Sequence, residues 1–440
     1  MSIAIPSLRG AISVPSWSKN PLWRTARAKP SLDLRFADTK SLVDSATGQS
    51  LVSFARASSG TYVGSDGVLR TAATNEPRFD HNPITGESLG LLVEEQRTNS
   101  LTNNTMVGAV AGTPGTIPTG WTYAVPGSGL TLSIVGTGVE NGINYIDYRF
   151  NGTTSASQTN CVIGLVNATA ATGQAWTAST YWKLVGGTAT GVTDWQIGII
   201  ENTSGGSFVT GAFYSQTTPT SAALITQRFA ATRTLSGGAT VGMITYPFNF
   251  NIAGNTAIDF TIRIGMPQLE QGAFATSVIP TTTAAATRSA DVAQITGSNF
   301  SSWFNQTQGA IYHQGSAPVG ANFYSIDDAT ANNRITSYMA SATTPRFFVS
   351  NGGVAQCDLT SSAITAGSLF AQASAYQAAN FGISTNGGTA STSSSGSLPA
   401  VNRMIIGANV FNTAVINGPI RRLTYWPVRL GNNVLQQITQ

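Results

Sequence analysis

Three pairs of carboxylates are the first groups in this 440-residue chain able to do chemistry: Glu94 with Glu95, Asp194 with Glu201, and Asp327 with Asp328. Two carboxylates flanking a glycosidic bond can hydrolyse it, one as acid and the other as base or nucleophile. Successive residues of a strand point to opposite faces, so neither adjacent pair can act together in an extended chain. Asp327 and Asp328 fall in Ser325-Ile326-Asp327-Asp328-Ala329-Thr330, a turn pattern whose oxygens could hold Ca²⁺ at the rim of a sandwich. The two histidines, His81 and His313, and the two cysteines, Cys161 and Cys357, are too few for a His/Cys zinc site. His81 suits a turn before Pro83, and His313 is expected on a strand with its ring tip in water. No Gly-X-Ser-X-Gly elbow is present, and Lys19, Lys29, Lys40 and Lys183 follow no glycine-rich phosphate loop. These residues assemble no catalytic set, so the chain reads as a non-enzyme with no cofactor.

Sugar binding asks for less: a ring face to stack on and a few polar groups. Trp182, Trp195 and Trp303 are the candidates for stacking on a glycan, beside Trp121 and Trp176. Large rings are mostly buried, so most of these indoles are expected in cores. The net charge of +4 suggests nucleic acid at first sight. Five of the 23 basic residues, however, lie in the first 30 with no acid among them, and 23 less 5 leaves 18 against 19 acids. The basic character belongs to an N-terminal arm. Its prolines and tryptophans favour docking on another protein over phosphate contacts, with Trp17, Lys19, Trp23, Arg24 and Arg27 as the anchoring residues. No nucleic-acid partner is expected. No apolar run approaches the ~20 residues that span a bilayer, which argues against membrane insertion. The cysteine usage and the interrupted N-terminus suit a protein made in a reducing cytoplasm and released by another route than secretion.

The elements that must position such groups are short strands. Charged residues make up only 10% of the chain, yet 41% is hydrophobic, enough to build cores and to argue against disorder. Alternating apolar runs separated by Gly, Asn, Pro and Asp turns make the fold all-β. The organisation expected is an extended basic arm over residues 1–30, a small β module over 31–105, a jelly-roll sandwich over 106–280 and a second sandwich over 281–440. The Thr-rich stretch from Thr281 to Ala286 reads as a linker, and Gly387 to Gly396 as a loop.

Four short patterns, Phe54-Ala55-Arg56-Ala57-Ser58, Thr61-Tyr62-Val63, Pro77-Arg78-Phe79-Asp80 and Gly90 through Asn99 (GLLVEEQRTN), stand in the order and spacing of a module found in structural proteins of tailed bacteriophages. A downstream set, Pro267-Gln268-Leu269-Glu270, Ser277-Val278-Ile279-Pro280-Thr281 and Thr287-Arg288-Ser289-Ala290-Asp291, completes the resemblance. The closing segment from Asn417 to Leu430 resembles the last strand of concanavalin-like or laminin-G-like sandwiches. The resemblance implies a virion fibre or spike of the tail or baseplate, a trimer bound to other virion proteins, which displays a carbohydrate-binding-module-like jelly roll and the far sandwich for attachment to host-surface glycan. A head fibre, a capsid decoration or cement protein, and a virion-borne polysaccharide depolymerase are the alternatives. Within the motif, Glu94, Glu95 and His81 are expected to be architecture, with a contact from the glutamates to Arg97.

Overall fold

The computed structural model describes residues 20–122, 129–163, 166–318 and 320–440. Nearly all regular structure is antiparallel strand, as the alternation predicts, with four short α-helices among the described residues. None of those helices is long and apolar enough to cross a membrane. The chain forms two units: Phe54–Val292, and a second made of Ala293–Gln440 with the residues up to Ser53.

In the Phe54–Val292 unit two five-stranded sheets face each other. One runs Arg228–Thr234, Ala175–Thr188, Ala257–Gln271, Ile143–Thr153, Leu130–Glu140; the other runs Gln158–Ile163, Gly242–Ile252, Val192–Asn202, Phe208–Gln216, with Val166–Thr169 also on Gly242–Ile252. Alternate residues of each strand point into the space between, where Phe150, Trp182, Trp195, Phe248, Phe250 and Phe260 pack. Phe150 meets Phe250 edge-on at 4.7 Å and Trp182 stacks on Phe229 at 4.6 Å, contacts worth about 0.5–1.5 kcal/mol each beyond the area they bury.

In the other unit Phe370–Gln377, Gln308–Gly315 and Gly418–Trp426 are successive strands of one sheet. Arg403–Ile406, Asn322–Asp327, Arg334–Ser341, Thr344–Asn351 and Val354–Thr360 are successive strands of another. Leu32–Leu34 pairs with Gly418–Trp426, Leu32 opposite Tyr425, so the early chain completes the sheet of the last strand.

Several expected boundaries are corrected here. Residues 31–53 belong with the C-terminal sandwich and not with the small module, because Leu32, Leu34 and Phe36 are fully buried there. The module itself is no separate body: it shares one unit with the jelly roll. The described part of the arm is not extended, since Pro21–Ala26 is a helix. Asn20 caps it by accepting from Leu22 N at 3.1 Å, and Pro21 occupies the first turn, where its missing N–H costs nothing. Thr281 is no linker residue. It is buried, and its hydroxyl donates to Leu101 O at 2.8 Å. Within the expected loop from Gly387 to Gly396, Ser391–Ser393 pairs with Phe381–Thr385.

Candidate functional site

The motif residues come together as one buried polar network inside the Phe54–Val292 unit. Asp291 receives Arg56 Nη1 at 3.0 Å on one oxygen, and Arg78 Nη2 with Glu94 N at 2.9 Å on the other. Glu94 receives Arg78 Nη1 at 2.7 Å and Arg288 Nη1 at 3.1 Å, plus Ser277 N at 2.7 Å and Ser277 Oγ at 2.6 Å. All five charged groups are almost wholly buried. Three guanidiniums against two carboxylates leave one positive charge, which backbone carbonyls solvate: Arg56 donates to Ser58 O and Ala73 O, Arg78 to Thr61 O, and Arg288 to Glu95 O. Burial pushes the Glu94 carboxyl up, but Arg288 and Arg78 overcome it and hold the group at about 2. Burial lowers Arg56, which shares its partner, while Glu94 and Asp291 together outweigh burial and raise Arg78.

The downstream motif is consumed in the same way. Glu270 accepts from Gln268 Nε2, Thr276 N and Thr276 Oγ1 at 2.7, 2.8 and 2.7 Å, and Gln268 Oε1 accepts from Ile279 N at 2.7 Å. Asn99 bridges Leu269 N, Leu101 N and Ile279 O, each at 3.0 Å. Glu95 pairs with Arg97 at 2.5 Å, as expected, whereas Glu94 reaches other arginines. His81 lies on strand Arg78–His81, not in a turn, with Nδ1 3.0 Å from Val63 O.

The other carboxylate pairs do not converge either. Glu201 is buried on Arg233, Ser236, Gly237 and Thr240. Asp194 instead accepts from Gln196 Nε2 at 2.6 Å and Ser215 Oγ at 2.9 Å. Asp327 is fully buried and taken by Arg403 Nε at 2.6 Å and Ser325 Oγ at 2.7 Å, while Asp328 caps its turn through Thr330 and Asn333. Their oxygens serve those partners and do not form a Ca²⁺ cradle. Among the described residues no three His, Cys, Asp or Glu side chains gather closely enough to hold a metal. His313 has no tip in water: it is fully buried, its Nε2 2.9 Å from Ser337 Oγ and its ring stacked on Phe323 at 4.0 Å. Burial drives its pKa down to about 3.

The stacking candidates are corrected too. Trp182, Trp195 and Trp303 are 0%, 3% and 4% exposed, so none offers a face to a sugar. Of the anchoring candidates, Trp17 and Lys19 lie outside the described residues. Trp23 is turned inward and donates to Asp33 Oδ2 at 2.9 Å, while Arg24 and Arg27 are exposed.

What remains is a surface platform absent from the expected list. On the side of Val192–Asn202 opposite the core, Gly198 is flanked by Phe213 and Tyr246, whose rings stack 5.6 Å apart at 14°. A Cβ at Gly198 would sit 2.6 Å from Phe213 Cε1 and 2.7 Å from Tyr246 Cδ2, so glycine is what lets the two rings close over this point. Two residues along, roughly 7 Å at strand rise, a polar ladder crosses the sheet. Asn249 Nδ2 donates to Gln196 Oε1 at 2.6 Å, Gln196 donates to Asp194, and Ser215 donates to Asp194 from the neighbouring strand. Asn249 is fully buried and Gln196 nearly so, so these two amides brace the sheet and only Asp194 and Ser215 of the ladder reach the surface; Asn249 Oδ1 has no partner. The signal was in the sequence: Asp194, Gln196 and Gly198 alternate with Trp195, Ile197 and Ile199. The cross-strand partners Phe213 and Tyr246 had no such marker.

No protein-family model matches this chain, and no curated protein matches it. Among solved structures it is similar to the N-terminal CBM22-1-CBM22-2 tandem domain from Paenibacillus barcinonensis Xyn10C, at 10% identity over 74% of this chain and 97% of that one, with a TM-score of 0.24. It is also similar to a native heptameric SAP-like pentraxin from Limulus polyphemus, at 13% identity over 29% of this chain and 68% of that one, with a TM-score of 0.23.

Proposed function

We propose that this chain is a non-enzymatic display protein of a tailed-phage virion, which binds sugar rings of a host surface on the half-buried ring pair Phe213 and Tyr246, with the Asp194 carboxylate beside it. The virion assignment rests on the motif resemblance, and with it come the fibre or spike role, the trimer and the attachment to other virion proteins through the N-terminal arm. The binding assignment rests on one observation: a half-buried stacked aromatic pair on one sheet face, with the partly exposed Asp194 carboxylate two same-face positions beyond Gly198. An aromatic face accepts the C–H face of a pyranose, and an oriented carboxylate takes its hydroxyls. The non-enzymatic reading is supported by Glu94, Glu201 and Asp327, whose carboxylates are engaged by structural partners.

The test is a screen of the full chain against neutral oligosaccharides and purified host envelope, followed by Phe213→Ala and Gly198→Ala. Binding lost in both variants with unchanged unfolding midpoints supports the reading. Binding untouched by either variant, or release of reducing sugar from the envelope, refutes it. Electron microscopy of labelled particles tests the virion placement separately.

A further inference from the structure

The other unit carries a groove of different character. About 290 Å³ in volume, it lies on the Asn322–Asp327, Arg334–Ser341 and Thr344–Asn351 strands, where Asn322, Arg334, Thr336, Tyr338 and Phe348 line it. Its side wall includes Val410, held by Arg403 Nη2 donating to Val410 O at 2.8 Å. Next to it on the same segment Phe411 is 62% exposed.

Charge is what sets this groove apart. Asp327 faces Arg334 in the strand register, yet its carboxylate is taken by Arg403. Arg346, on the next strand, is neutralised by Asp358. Of these three arginines Arg334 alone has no carboxylate within ion-pair distance among the described residues and no side-chain hydrogen bond, and its Nε is buried without a partner. Two guanidiniums, Arg334 and Arg403, therefore face a single carboxylate, Asp327. The Arg334 guanidinium lies over the Phe348 ring at 5.1 Å. Stacking uses the face of a guanidinium and leaves its in-plane N–H donors free for a planar two-oxygen anion. Beside it, Thr336 Oγ1 lies 2.7 Å from Tyr324 O and 2.9 Å from Asn322 Oδ1, and the Asn322 amide nitrogen makes only a 3.4 Å contact to Gly320 O. The floor thus presents donors and rings and lacks an anion.

We infer that this groove is a binding site for a sugar carrying a carboxylate, of the uronate or sialate type, with Arg334 gripping the carboxylate and Phe348, Tyr338 and Phe411 offering ring faces to the sugar. The volume lies at the small end of ligand sites, which run roughly 300–1,000 Å³, and suits one sugar ring over a long polymer. The inference is independent of the Phe213 platform, which lies on the other unit.

Titration calorimetry of the full chain with trigalacturonate, with its neutral galactose counterpart and with a phosphorylated trisaccharide tests it. The expected result is trigalacturonate binding that weakens with added salt, at least about tenfold weaker in Arg334→Gln, the step that equals 1.4 kcal/mol. Arg334→Lys, which keeps the charge and loses the fork, should fall between the two. Unchanged binding in Phe213→Ala would keep this site separate from the platform. Equal affinity for the neutral trisaccharide overturns the inference, as does an Arg334→Gln variant that folds and binds normally. Tighter Arg334-dependent binding of the phosphorylated sugar would overturn the carboxylate assignment.

Discussion

Glu94→Gln is the sharpest test of the buried network. The amide keeps the shape and one acceptor, but in either orientation its NH₂ meets a donor: Arg78 and Arg288, 2.7 and 3.1 Å from Glu94 Oε2, or Ser277 N, 2.7 Å from Oε1. It also leaves three buried guanidiniums to the single carboxylate of Asp291. Removing one partner of a buried pair costs about 3–5 kcal/mol. The pKa supplies a second route to the magnitude. Holding the Glu94 carboxyl at about 2 against 4.5 for the free group corresponds, at 1.36 kcal/mol per unit, to about 3 kcal/mol. With urea slopes of about 1–3 kcal/mol/M, the Phe54–Val292 unit should unfold on the order of 1 M earlier at pH 7. The pH dependence distinguishes this cause from lost packing. Because the folded pKa is depressed, the stability from Glu94 is complete above about 4.5 and is lost as pH falls toward 2. Urea melts of both proteins at a series of pH values should therefore show the gap closing across that window. A gap that is absent at pH 7, or that persists undiminished at pH 2, would refute the reasoning.

Two further outcomes follow from the same structure. Trp182→Ala removes a fully buried indole stacked on Phe229, and should cost about 3–5 kcal/mol in a denaturant melt while leaving any glycan binding by the folded fraction intact. His313, held near 3 by burial, should show no titration of its ring protons by NMR between pH 8 and 5; its contribution to stability, complete above the ordinary value of 6.5, is lost as pH falls toward 3. A native His313 titrating near 6.5 would contradict its place against Phe323.

The legible part of this protein was its periodicity. Runs such as Leu130-Thr131-Leu132-Ser133-Ile134 and Trp195-Gln196-Ile197-Gly198-Ile199 declare strands with one apolar face, and the structure forms strands at both. The bland reading of the indoles was also sound, since bulky rings at inward positions have nowhere better to go. Less legible were the domain edges. That Leu32–Leu34 pairs with a strand nearly four hundred residues later cannot be seen in a local pattern, because the partner's identity is carried by no residue of the early strand. The tip of His313 was misplaced for a related reason: alternation assigns a face, but not what covers it.

The motif shows the division most clearly. From the sequence, Arg56, Arg78, Glu94, Arg288 and Asp291 stand out only as members of short motifs, with Glu94 expected to be architecture. Only the tertiary structure decided that these residues, up to 235 positions apart, form one desolvated ion network. Likewise the chain spells out its aromatics, but three-dimensional packing decides that Trp182 and Trp195 fill a core while Phe213, Tyr246 and Phe348 line surfaces. Side-chain type sets what a group can do in water or in a core; which of the two it meets depends on neighbours brought from distant strands.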